Sequence, residues 1–211
     1  MPTLYERIMG NPWVYDCLRP WFLGGIDIKH VYETIQPVES EVILDVGCGT
    51  GAALQYLDGF AHYHGFDTDP VALKAVEKKY SDTHNITLHN RILTAGDVLE
   101  IKPNKVLLMG LLHHLSDQEA RQLLDSIAAA PTVKRIISWD VYYGSGLKHC
   151  ISNALARVDR GKFVRKTPAY RQLAKSAGFR IEKEFFFRSG NGFASYFVMC
   201  LGKTLIQSTN Q

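Results

Sequence analysis

The sequence predicts an α/β chain: a doubly wound, mostly parallel seven-stranded sheet with a C-terminal antiparallel hairpin and an N-terminal helical cap. Three observations carry that prediction. Short apolar, β-branched runs alternate with helix-like stretches through the middle of the chain, as they do when a parallel sheet is covered on both faces. One such run, Val42-Ile43-Leu44-Asp45-Val46, leads straight into the glycine-rich turn Gly47-Cys48-Gly49-Thr50-Gly51. Near the C-terminus two β-rich runs flank Ser189-Gly190-Asn191-Gly192, and Asn-Gly between such runs is a strong hairpin signal.

In chain order, Asn11-Pro12 starts a first helix as N-cap and first helical residue, and Gly24-Gly25 ends it. Val14, Leu18 and Trp21 share one face of it. Asp27 caps a second helix with the apolar stripe Ile28, Val31, Tyr32 and Ile35. These forty residues, 1–40, are dense in rings (Tyr5, Trp13, Tyr15, Trp21, Phe22, Tyr32). Such a stripe is either core or a lid that shapes an acceptor pocket.

Five strands are then expected at residues 41–46, 62–66, 91–95, 105–109 and 133–139. Between them, Asp69-Pro70 opens a helix with Val71, Leu73, Val76 and Tyr80 at helical spacing. Ser116 and Glu119 form a capping box for another. Residues 144–166 read as an insertion on the substrate side, helical at 151–158. Thr167-Pro168 opens a helix that ends at Gly178, and strands at 180–187 and 193–201 close the sheet. Residues 204–211 are a polar tail, and the whole of 1–211 reads as one domain with its core at 41–203.

Composition narrows the function. Hydrophobic residues make up 46% and charged residues 21% of 211, ordinary for a globular chain. Lys and Arg number 24 against 21 Asp and Glu, and a net charge of +3 is too small to predict a nucleic-acid or membrane surface as partner. No apolar stretch approaches the roughly 20 residues that span a bilayer. The first residues lack the basic-then-apolar layout of a secretion signal. Cys17, Cys48, Cys150 and Cys200 lie far apart, without metal-site spacing, and read as reduced thiols of a cytoplasmic protein. Oligomeric state is not legible.

The chemistry sits at the glycine turn. Gly47 and Gly49 let a ligand approach the backbone where a Cβ would obstruct it, at the first strand-to-helix turn, where a doubly wound sheet binds nucleotides. Asp67 follows the second strand, 20 residues after Gly47. An acid there accepts both hydroxyls of a ribose. Asp97, in Gly96-Asp97-Val98, is a candidate for an adenine amino group. Gly47-x-Gly49-x-x-Ala52 also fits the dinucleotide fingerprint, but Asp45 would then repel a pyrophosphate. Beside the ammonium of a methionine moiety the same acid is useful, which favours S-adenosylmethionine.

Leu44-Asp45-Val46-Gly47-Cys48-Gly49-Thr50-Gly51 resembles the first motif of the class I S-adenosylmethionine-dependent methyltransferases. Gly65-Phe66-Asp67 resembles their acidic ribose motif and Gly96-Asp97-Val98 their adenine-side motif. Gly110-Leu111-Leu112-His113-His114-Leu115-Ser116-Asp117 looks like the loop after their fourth strand. The resemblance covers about residues 41–201. It implies a Rossmann-like fold, with Asp45, Gly47 and Gly49 at the methionine end, Asp67 and Thr68 on the ribose side, and Asp97 with Val98 at the adenine.

The acceptor side is read by elimination. Enzymes of this family that methylate adenine N6 or glutamine amides carry Asn/Asp-Pro-Pro-Tyr/Phe where this chain has Gly110-Leu111-Leu112-His113. No basic run interleaved with aromatics suggests an RNA track. The densest basic stretch (Arg157, Arg160, Lys162, Arg165, Lys166, Arg171) is either a solvated face or an anion site. His113 and Asp140 are the candidate catalytic residues, each a possible proton acceptor. Ring packing or a helix-start bond is the alternative for His113, and a cap or salt bridge for Asp140. The expected function is methyl transfer to O, N or C of a small organic acceptor, releasing S-adenosylhomocysteine. RNA or protein methylation, a non-catalytic cofactor-binding partner and a nicotinamide-dependent oxidoreductase are the alternatives.

Overall fold

A computed structural model describes residue 31, residues 40–158 and residues 161–203. The expected helical cap, apart from Val31 and Ser40, lies outside the described residues, as do Arg160 and the 204–211 tail.

Seven strands form one sheet: β1 (Val42–Val46), β2 (His62–Asp67), β3 (Ile86–Asn90), β4 (Lys105–Met109), β5 (Arg135–Val141), β6 (Phe179–Arg188) and β7 (Ser195–Lys203). Their order is β3-β2-β1-β4-β5-β7-β6. The first five are parallel, and β7 runs antiparallel to both β5 and β6. The chain winds outward from β1 to β3, then returns to the other side of β1 as β4. The carboxyl ends of β1 and β4 therefore flank a topological switch point, where open α/β sheets bind ligands.

Local chemistry sets the helix starts. The Asp69 carboxylate accepts from the backbone N–H of Val71 at 2.8 Å and of Ala72 at 3.3 Å, capping α1 (Pro70–Lys79). For α3 (Asp117–Ala129), Ser116 Oγ accepts from the Glu119 N–H at 3.3 Å, and the Glu119 carboxylate accepts from the Ser116 N–H at 2.8 Å. The insertion contains α4 (Cys150–Val158), and Pro168 stands in the first turn of α5 (Thr167–Ser176). The first crossover is shorter than an α-helix, a 3-10 turn at Ala52–Tyr56.

The third strand differs from expectation. It is Ile86–Asn90, five residues before the expected 91–95, and Ala95–Ile101 is a helix, α2. The reason is a second capping box. Thr94 Oγ1 accepts from the Asp97 N–H at 3.3 Å, and the Asp97 carboxylate accepts from the Thr94 N–H at 2.8 Å. That reciprocal pair fixes a helix start at Thr94 and stops the chain from continuing as a strand.

Both faces of the sheet are covered. Leu44, Val106, Leu108 and Ile136 pack with Leu124 and Ile127 of α3 and Tyr170 and Ala174 of α5. Ile43, Leu107, Ile137 and Val198 pack on the other side with Leu54, Leu73, Val76 and Val31. Adjacent residues Ile43 and Leu44 are both fully buried, which explains the unbroken apolar run of β1. Each such side chain contributes about 1.5–3 kcal/mol of burial.

Candidate active site

A cleft of about 910 Å³ opens at the carboxyl ends of β1, β2 and β4, within the size range of small-ligand pockets. Gly47, Gly49 and Thr50 form its near wall, with Asp67, Thr68 and Asp69 beside them. Arg91, Ile92 and Leu93 line one end, and Gly110, Leu111, His114 and Leu115 line another part.

The turn is tied to β2. The N–H groups of Gly47 and Cys48 both donate to the Phe66 carbonyl, at 2.8 and 3.1 Å. Gly49, at φ +52°, donates its N–H to Asp67 Oδ2 at 2.7 Å. A Cβ built on Gly49 has no protein atom within 4 Å. Since Gly49 lines the cleft, that Cβ would occupy ligand space. Gly47, at φ +74°, has less room: its Cβ would stand 3.1 Å from Leu111 Cδ1.

Asp67 braces this turn from the cleft wall. Its second oxygen accepts from the Asp69 N–H at 2.9 Å. A carboxylate has about four acceptor positions, so two backbone bonds leave capacity for hydroxyl donors. Thr68 lies next to it on the wall. Asp45 is buried below the turn and is absent from the cleft lining. Its Oδ2 accepts from the Tyr63 hydroxyl at 2.7 Å, while its Oδ1 is buried without a hydrogen-bond partner among the described residues. Burial pushes this carboxyl up to about 7; the Tyr63 bond opposes the shift and the nearby Asp67 charge adds to it.

Asp97 and Val98 stand elsewhere. The Asp97 carboxylate receives both Arg91 Nη groups at 2.6 Å, in addition to its capping bonds. The Arg91 bond, opposed by burial and helped by Thr94, holds Asp97 well below the usual carboxylate range. Val98 is fully buried in the core, and neither residue lines the cleft. Arg91, Ile92 and Leu93 take that place. The sequence reading missed them because it put these residues inside a strand; the guanidinium of Arg91 lies 5.2 Å over the Phe66 ring.

His113 and Asp140 come together as a buried pair. Asp140 Oδ1 sits 2.8 Å from His113 Nδ1 and accepts from the His113 backbone N–H at 3.0 Å. Both residues are at most 2% exposed, and burial raises the Asp140 carboxyl against the pull of the His113 contacts. The pair does not line the cleft, whereas His114 does. Gly161 closes over the imidazole so tightly that a Cβ there would meet His113 Cδ2 at 2.1 Å. This arrangement fixes the loop after β4 to the end of β5.

Arg165 completes the clamp, a role that the sequence reading did not identify. It donates to the Leu112 and Leu115 carbonyls at 2.6 Å each and to Asp117 Oδ1 at 2.8 Å. Arg171 pairs with Glu184 through bonds of 2.7 and 2.8 Å. Two members of the basic stretch thus have structural partners.

Residues 43–131, which contain the turn, Asp67 and the loop after β4, match the family model for a methyltransferase domain. This match marks residues 43–131 as a methyltransferase domain. The cofactor of this family is S-adenosylmethionine. Over 119 residues the chain is 28% identical to the ribosomal protein L11 methyltransferase of Cyanothece sp. strain PCC 7425, a match covering 54% of this chain and 37% of that protein. The chain therefore spans little more than a third of this curated relative. Among solved structures, the magnesium protoporphyrin IX methyltransferase of Synechocystis PCC 6803 with bound S-adenosylmethionine superposes with TM-score 0.64 at 15% identity, covering 95% of this chain and 89% of that one. The pyocyanin biosynthetic protein PhzM gives TM-score 0.68 at 13% identity over 95% of this chain and 61% of that one. These two structures share the methyltransferase domain's fold.

Proposed function

We propose that this chain methylates a small organic acceptor with S-adenosylmethionine. The observation that carries the reading is the glycine turn on the cleft wall, with Gly49 open to the cleft and its N–H held by Asp67. The cradle fits the cofactor in three respects. A Cβ at Gly49 would fill ligand space, Asp67 retains free acceptor capacity, and Asp45 keeps a buried oxygen without a hydrogen-bond partner among the described residues.

When bound, the cofactor supplies an electrophilic methyl group on a sulfonium. Gly47 and Gly49 would admit its methionine end, with Asp45 beneath as a counter-charge. Asp67 and Thr68 would accept the ribose hydroxyls. Ile92 and Leu93 would give the base an apolar wall, with Arg91 beside it. The His113–Asp140 pair, 1–2% exposed, positions the loop that carries Leu111 and His114. Holding two reactants at near-attack distance can supply much of such a rate enhancement without a dedicated base.

The small-molecule reading is supported by the two solved relatives, whose names refer to a porphyrin and to pyocyanin biosynthesis. A protein acceptor is the second reading, favoured by the match to the L11 enzyme. Cys48, Cys150 and Cys200 are free thiols, which suits the reducing cytoplasm. Among the described residues no helix is long and apolar enough to cross a membrane. Calorimetric titration with S-adenosylmethionine and with NADH tests the cofactor. S-adenosylmethionine alone should bind, and binding of NADH alone would refute the proposal.

A further inference from the structure

A second cleft, of about 640 Å³, opens at the carboxyl ends of β5 and β6, beside the first turn of α5. Lys148, Lys166 and Arg188 line it, and among the described residues its lining contains no Asp or Glu. None of the three cations has an ion-pair or hydrogen-bond partner for its side chain among the described residues. A cleft lined by like charges draws an ion of the opposite sign.

Two further observations point the same way. His149 lines the cleft, is 7% exposed, and has a buried Nδ1 without a hydrogen-bond partner among the described residues. Burial, and then the charges of Arg188 and Lys148, keep its imidazole below the ordinary histidine range. The N-terminus of α5 has no side-chain cap, so the positive end of its dipole is available to an anion.

The rest of the wall is aromatic. The Tyr142 and Phe186 rings lie 5.4 Å apart, and Phe186 is 50% exposed although it is a large apolar side chain. Tyr142 stands two residues after Asp140, so this cleft opens along the same edge of the sheet as the cofactor cleft.

We infer that the second cleft binds an aromatic acid, a planar ring carrying a carboxylate or phosphate, and that this acid is the methyl acceptor. The ring packs on Tyr142 and Phe186, and the anionic group meets Lys148, Lys166 and Arg188. The assignment as acceptor rests on the proposed methyltransferase activity; the binding of an aromatic anion does not.

Titration with phenyl phosphate, benzoate and inorganic phosphate tests the site. The aromatic anions should bind saturably and inorganic phosphate more weakly. The Lys148→Met/Arg188→Met double variant should lose roughly tenfold or more in affinity for phenyl phosphate, with melting temperature and S-adenosylmethionine affinity unchanged. Phe186→Ala should weaken phenyl phosphate and leave inorganic phosphate as it was. No saturable binding, or equal affinity in the double variant, overturns the site. In transfer assays over an acceptor pool, the double variant should raise KM for acidic acceptors selectively. Unaltered transfer to acids overturns their assignment as acceptors. Failure of wild-type protein to bind S-adenosylmethionine refutes the cofactor reading instead, because the phenyl phosphate titration needs no cofactor.

Discussion

Asp67→Ala removes one carboxylate with two tasks. In the structure it holds the N–H groups of Gly49 at 2.7 Å and Asp69 at 2.9 Å. In the proposed complex it also accepts two ribose hydroxyls. A hydrogen bond to a charged group is worth about 1.5–3 kcal/mol, so two amount to about 3–6 kcal/mol. At about 1.4 kcal/mol per factor of ten, that corresponds to two to four orders of magnitude in Kd. Asp67 is half-buried, and water in the variant recovers part of the loss. The smallest fall in affinity consistent with the proposal is about tenfold. The two backbone N–H groups turn to solvent, each at a net cost of about 1 kcal/mol, so the fold survives. Calorimetry with S-adenosylmethionine measures the effect, and a thermal melt verifies folding. An unchanged Kd in the folded variant would show that the acid does not meet the ribose.

Four other outcomes are expected. Gly49→Val sets a branched side chain at φ +52° and aims it into the cleft, so calorimetry should detect no cofactor binding; a folded variant that still binds places the ligand elsewhere. Asp140→Asn keeps an acceptor for both His113 contacts, so turnover should stay within about tenfold of wild type, and a fall of roughly 10²-fold would restore Asp140 as general base. Asp45 is raised to about 7 in the folded protein from 3.8, so the folded state holds a proton that the unfolded state has released. Cofactor-free protein should therefore lose stability as pH rises from about 4 to 7, and chemical denaturation of Asp45→Asn should lack that slope. Removing residues 1–10 should raise the acceptor KM more than the cofactor Kd, if the expected lid closes over the acceptor; equal effects on both would argue against it.

Much of this fold is local chemistry that a sequence displays. Asp69-Pro70 and the Ser116/Glu119 box each start the helix they predict, because caps act within one turn of chain. The glycine turn was legible for the same reason, and so was the Ser189–Gly192 turn between β6 and β7. The third strand was not. Ile86-Thr87-Leu88-His89-Asn90 alternates apolar and polar residues and lacks the unbroken apolar run of β1, while Ile92 and Leu93 imitate a strand just beyond it. The corrective signal was present: Thr94 and Asp97 have the spacing of a capping box, which marks a helix start. Reading Asp97 as a cap would have freed Arg91, Ile92 and Leu93 for the cleft. The burial of His113 and Asp140 had no such signal. It depends on Gly161 and Arg165 arriving from some fifty residues away in sequence and on the antiparallel β7 sealing the far side of β5.

Methyl transfer to a small acceptor can be observed directly. Purified protein is incubated with S-adenosylmethionine and a pool of small metabolites, and the mixture is followed by mass spectrometry. A product heavier than its precursor by one methylene should form in step with S-adenosylhomocysteine and be absent with the Gly49→Val variant. Cofactor that binds yet yields neither product nor S-adenosylhomocysteine above the protein-free control would contradict the proposed transfer.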